Sequence, residues 1–393
     1  MKKIGAIIPF IGIGIFAAGL SLYAYLGIYN RFWADDWCYN ADFVQLGFWG
    51  TMKGYTFITH FASNRFSLTF FTLLLQLWGV FSAKITAGLV ISLFFCAMYL
   101  NILGISRIFK LNWNSKLILL TTTAIVYYTI YLAPNQYRSL FFRSSVLTYT
   151  APLLSFLFVF GILLWELNND IPSRAILLSI GPLTFIACGF SESGCAYIGT
   201  AVGILWLTAL FYRNKGQDWA KRIFKPASIS LLAAIAALLI LILSPAISAR
   251  HAGYPEPTNP ILLPYLSVKF SLDFIIGSFR GLLLPHAMFA MLFFLLPFLE
   301  IQRPGTTISL KTSLLSMVII LSGLVLLISA AQIPAIYIEK GPPAAKALIS
   351  ARFFQLFSIA GIFWLAGNFL AAKFKENYRF FALILILVPI LYT

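Results

Sequence analysis

Apolar runs of about 18 residues or more recur from one end of this chain to the other, each long enough to cross a bilayer as a helix. No soluble core needs so many. In lipid the backbone N–H and C=O groups find no water, so each run must satisfy them within itself as an α-helix. A membrane barrel would show alternating segments of about ten residues, and none is present. The composition agrees: 10% of the 393 residues are charged, against roughly 25% in a soluble domain. The expected fold class is all-α, a polytopic integral membrane protein of about 11 transmembrane helices plus interfacial helices in the first outer loop. A single transmembrane domain occupies residues 1–393, with no soluble domain and no internal repeat.

Charge then sets the topology. The net charge is +16. In such a chain this reads as the positive-inside bias of cytoplasmic loops, not as nucleic-acid binding. Lys2 and Lys3 place the N-terminus in the cytoplasm. The run from Ile4 to Tyr29 is too long for a signal-peptide core and ends without a small-residue cleavage site, so it reads as an uncleaved first span. The first outer loop covers about residues 30–83, and within it Leu68–Val80 reads as an interfacial or re-entrant helix. Alternating crossings place Arg107, Lys110 and Lys116 inside, and later the dense cluster Arg213, Lys215, Lys221, Arg222 and Lys225. Phe380–Thr393 begins an eleventh span and is short for a crossing, which suggests a truncated C-terminus. Cys38, Cys96, Cys188 and Cys195 lack metal-type spacing.

Charges that topology does not explain are functional candidates. Three of the chain's 12 acids, Asp35, Asp36 and Asp42, fall in the stretch RFWADDWCYNAD directly after the first span. Adjacent carboxylates suit a general base or a hard divalent cation such as Mg, Mn or Ca. They equally suit the N-terminus of a juxtamembrane helix. Arg65, Arg138, Arg143, Arg250 and Arg352 all lie at expected outer ends of spans, against the positive-inside bias. Arginine's fork of donors fits phosphate, while any one of these side chains could simply snorkel to headgroups. Glu192 in GFSESG is a secondary candidate, as a capping acid or an arginine partner, and His251 follows Arg250 directly.

The order of these features resembles the GT-C class of integral-membrane glycosyltransferases: one span, an outer loop opening on an Asp pair, interfacial helices and many further spans. More narrowly, ADDWCYN, then NRFS, then QYRSLFFRSSVLTYTAPL are similar to a group of uncharacterised bacterial membrane proteins with an Asp-Asp-aromatic-Cys-Tyr box, with Asn64 where Gly is expected. The resemblance implies sugar transfer from a polyprenyl-phosphate donor to a glycan or lipid-linked acceptor, on the periplasmic face of the bacterial inner membrane. It implies that Asp35 or Asp36 is the base or a metal ligand, and that Arg250, His251 and Arg352 hold the donor phosphate. The reaction would be a single inverting displacement in cell-envelope polysaccharide synthesis, with membrane lipids as further partners. Many such enzymes carry a soluble C-terminal domain, which this sequence does not show. A lipid-linked-sugar flippase or transporter would instead place charges and broken helices at mid-span. An O-antigen polymerase or ligase would lack the early Asp pair.

Overall fold

The computed structural model describes residues 2–57, 63–111, 113–169, 173–246, 257–299, 310–371, 382 and 384–392. Every regular element among them is helical. In chain order these are α1 (Lys2–Gly27), α2 (Asp35–Phe57), α3 (Phe66–Gln76), α4 (Phe81–Ile108), α5 (Ser115–Tyr131) and α6 (Gln136–Leu140). Next come α7 (Arg143–Asn168), α8 (Arg174–Cys188), α9 (Glu192–Asn214), α10 (Asp218–Leu243) and α11 (Leu263–Gly281). The last are α12 (Leu283–Leu299), α13 (Leu310–Glu339), α14 (Ala345–Ala371) and α15 (Leu387–Leu391).

Seven of these helices are long and apolar enough to cross a membrane: Ile7–Gly27 within α1, then α4, α7, α9, α10, α13 and α14. The 21 residues of the first rise about 32 Å, close to the hydrocarbon thickness of a bilayer. The pair α11 and α12 adds an eighth if taken as one span, but it bends by 95°. The further crossings expected from sequence fall on shorter elements: α5 has 17 residues, α8 has 15, and the terminal segment holds α15 with 5. The surface is that of a protein solvated by lipid. Leu178, Leu232, Leu243 and Val318 are all exposed without a polar rim of their own.

Lipid gives helices little hydrophobic reason to associate, so close approach of backbones and interior polar contacts hold them. At Gly367 of α14 an added Cβ would lie 2.0 Å from the carbonyl oxygen of Phe294 in α12. Inside, Asn101 Nδ2 of α4 donates to the Leu157 carbonyl of α7 at 2.7 Å.

The first loop does form helices. In α2 the backbone of Gly47 takes φ 68 and ψ −178, so the helix is kinked there and continues in a new direction. Its first half is held by a bond from Gln76 Nε2 of α3 to Asn40 Oδ1. Its second half meets α3 through Phe48 and Phe70, ring centroids 5.8 Å apart. The expected short helix at Leu68–Val80 is α3, shifted towards the N-terminus.

Candidate active site

The Asp pair opens α2. Ala34, just before it, sits in the left-handed region at φ 43, an unusual conformation for a residue with a Cβ. The turn it makes sends the two neighbouring carboxylates into different surroundings. Asp36 is fully buried. Its Oδ1 accepts from Arg143 Nε at 3.2 Å and from Ser144 Oγ at 2.5 Å, and its Oδ2 accepts from the Trp33 N–H at 3.4 Å. Arg143 is equally buried, donates through Nη1 to Ser82 Oγ at 2.8 Å, and lies 4.6 Å from the Phe32 ring centroid. This buried pair joins α2, α4 and α7 at one point.

Asp35 is exposed and borders a cavity of about 180 Å³. Tyr39, Arg65 and Ser63 form the loop side of that cavity, and Ser144 and Thr148 form its α7 side. The first turns of α7 include a π-helical segment, Val146–Thr150, a wide turn often found where a helix presents groups to a site. Ser144 and Thr148, four residues apart, thus share one face, and Thr148 Oγ1 donates back to the Ser144 carbonyl at 2.8 Å.

Arg65 enters the cavity because the chain on both sides of it is tied down. Asn64 Nδ2 donates to the Leu241 carbonyl at 2.8 Å, and the Ser67 N–H to the Gly189 carbonyl at 3.1 Å. The second contact brings the start of α3 to the α8–α9 corner, where Ser191 caps α9 through the Gly194 N–H at 3.0 Å. Glu192 follows in the first turn of α9, where the helix dipole favours an acid. Its Oε2 accepts from Arg65 Nε and Nη2, both at 2.9 Å. Burial lowers the Arg65 pKa, but the Glu192 carboxylate together with Tyr149 and Tyr39 outweighs it, and the guanidinium titrates above its ordinary value. Burial pushes the Tyr39 phenol up to about 12, against an opposing pull from Arg65. Tyr39 therefore keeps its proton at neutral pH.

The remaining sequence candidates divide. Arg138 lies 5.5 Å from the ring centroid of Trp33, at the edge of the Asp box. Arg250 and His251 lie outside the described residues. Arg352 is buried near the start of α14. Its Nη1 donates to His286 Nε2 and to Gln355 Oε1, both at 2.8 Å, and its guanidinium is 5.1 Å from the Phe274 ring centroid. His286 Nδ1 is 2.7 Å from the Leu282 carbonyl, which can only accept, so Nδ1 carries the hydrogen and Nε2 is the bare acceptor. Arg352 has no carboxylate within ion-pair distance among the described residues. A buried guanidinium held only by neutral groups is poised for an anion.

Of the two acids expected as base or metal ligand, Asp36 accepts from Arg143, Ser144 and Trp33, while Asp35 borders the cavity. Among the described residues no three His, Cys, Asp or Glu side chains converge as metal ligands.

Sequence reasoning missed Tyr39, Ser63, Ser144 and Thr148 as lining groups, and it missed the His286–Arg352–Gln355 cluster. The i,i+4 spacing of Ser144 and Thr148 was a visible signal; the meeting of α12 with α14 was not. Comparison with protein-family models, with curated proteins and with solved structures finds no match.

Proposed function

We propose that this protein is a membrane glycosyltransferase that moves a sugar from a polyprenyl-phosphate donor to a glycan or lipid-linked acceptor at the outer face of the inner membrane. The observation that carries this reading is the division between the two acids. Asp36 is consumed by Arg143 and Ser144, whereas Asp35 is exposed at a polar cavity shared with Tyr39 and Arg65. A base must reach an acceptor hydroxyl and stay unpaired enough to take its proton. Asp35 meets that need and Asp36 does not.

In the reaction the acceptor hydroxyl gives its proton to Asp35 as its oxygen bonds to the anomeric carbon. The bond from that carbon to the phosphate oxygen breaks, and the electron pair leaves on the phosphate. One displacement inverts the anomeric centre. Arg352, buried with no carboxylate within ion-pair distance among the described residues, supports the role of stabilising the charge that develops on phosphate.

A second reading has its own support. The 95° break between α11 and α12 lies next to His286 and Arg352, and a broken helix beside a buried charge is a transporter feature. A lipid-linked-sugar flippase would use those groups and leave Asp35 dispensable.

The test is transfer from a radiolabelled panel of polyprenyl-phosphate sugars by the purified protein in lipid, with membrane extract as acceptor. Asp35→Asn is expected to abolish transfer at unchanged thermal stability. Full transfer by that variant would remove Asp35 as the base. No transfer with any donor, together with translocation of the labelled lipid across vesicles, would favour the flippase.

A further inference from the structure

A second cavity, of about 290 Å³, lies between α11, α13 and the loop that follows α13. We infer that it is a subsite for a neutral sugar ring of the glycan, an inference that rests on the glycosyl-transfer reading. Its walls include the rings of Phe270 and Phe274 and the side chains of Pro342 and Pro343, with Gln332 and Asp273 as the polar groups.

Gln332 is the informative residue. It is 2% exposed, and among the described residues neither its amide nitrogen nor its amide oxygen has a partner. Buried amides are nearly always paired, because leaving both ends unpaired forfeits their hydration with no return. One turn earlier on the same helix the polar groups are satisfied: Ser329 Oγ meets Ser271 Oγ of α11 at 3.1 Å. The unpaired amide is therefore a local exception at the wall of a cavity.

Gln332 offers one donor group and one acceptor, and Asp273 offers acceptors only. A hydroxyl both donates and accepts, so a ring bearing neighbouring hydroxyls can fill all three roles. A phosphate could not donate to Gln332 Oε1 and would meet the Asp273 carboxylate. A polyprenyl chain would leave both ends of the amide unfilled. The phenylalanine faces carry the negative side of the ring quadrupole and suit the C–H face of a sugar.

The position also fits. The turn Ala345–Leu348 at the start of α14 borders this cavity and approaches the first turns of α7. Leu348 lines this one, and Lys346 Nζ lies 5.9 Å from the Tyr149 ring centroid, whose phenol acts electrostatically on Arg65 in the other. The Arg352 guanidinium lies over Phe274, one of the cavity walls.

The test reads binding without transfer, so it can fail independently of the proposed reaction. The intact chain in nanodiscs is titrated by saturation-transfer NMR with methyl glycosides of glucose, galactose, mannose and N-acetylglucosamine. Glycerol 3-phosphate and farnesyl phosphate are the comparison ligands. Saturable binding of at least one glycoside is expected, weakened about tenfold or more in Gln332→Leu. That variant's unliganded thermal midpoint should be equal or higher, because an unpaired amide is removed. If Gln332→Leu does not fold, Asp273→Asn at its exposed position carries the same tenfold expectation. Unchanged glycoside affinity in the folded variant, no saturable glycoside binding, or binding confined to the phosphate ligands would each overturn the inference.

Discussion

Removing the Asp36 carboxylate alone should be among the most damaging single changes in the first loop, and removing it together with its partner should be far milder. Asp36→Ala strips Arg143 of its only carboxylate among the described residues while leaving the guanidinium fully buried, held by Ser82 Oγ and the Phe32 ring. It also strands Ser144 Oγ and the Trp33 N–H. Breaking one side of a buried ion pair costs about 3–5 kcal/mol, because an uncompensated charge stays in low dielectric. Replacing both sides with apolar groups of similar volume is commonly neutral, so Asp36→Leu with Arg143→Met should fall within about 1 kcal/mol of the intact protein. The neighbouring Asp35→Ala, at an exposed position, should change stability by no more than about 0.5 kcal/mol. Detergent-solubilised protein followed by thermal and denaturant unfolding would rank the four chains. A single Asp36→Ala as stable as the intact chain would refute the reasoning, as would a double variant no better than the single.

Two further outcomes follow from described contacts. The folded pKa of Tyr39, about 12, lies above the ordinary 10.0, so the phenol contributes stability that is complete below about pH 10 and is lost as pH rises through 12. The difference is about 2–3 kcal/mol; across that window the thermal midpoint of the intact chain should fall relative to that of Tyr39→Phe, which has no phenol to ionise, and parallel curves would count against it. Gly367→Val should cost at least about 3 kcal/mol, since the added Cβ meets backbone at 2.0 Å, whereas Gly323→Ala in α13, with nothing within 4 Å, should be neutral or stabilising; equal unfolding midpoints for the two would deny the close approach of α12 and α14.

The helical membrane architecture was legible because lipid enforces it residue by residue: a run of the right length and composition has one available conformation. The RFWADDWCYNAD stretch stood out too, from the scarcity of acids elsewhere. The difference between Asp35 and Asp36 was not. It depends on Arg143 and Ser144, more than a hundred residues away, and on a left-handed Ala34 that no local pattern announces. Arg352 was visible as a basic residue in an unexpected place. Its partner His286 was not, because their contact is made by the packing of α12 on α14.

The kink at Gly47 has a mechanical consequence. The part of α2 before it is pinned by Arg143 through Asp36 and by Gln76 through Asn40. The part after it carries Trp49, 77% exposed and of a residue type that seeks the bilayer interface. A force applied at Trp49 would meet the Gly47 joint before it reached the Asp35 carboxylate, which the two pinning bonds hold beside Arg65: the helix is built as a jointed strut.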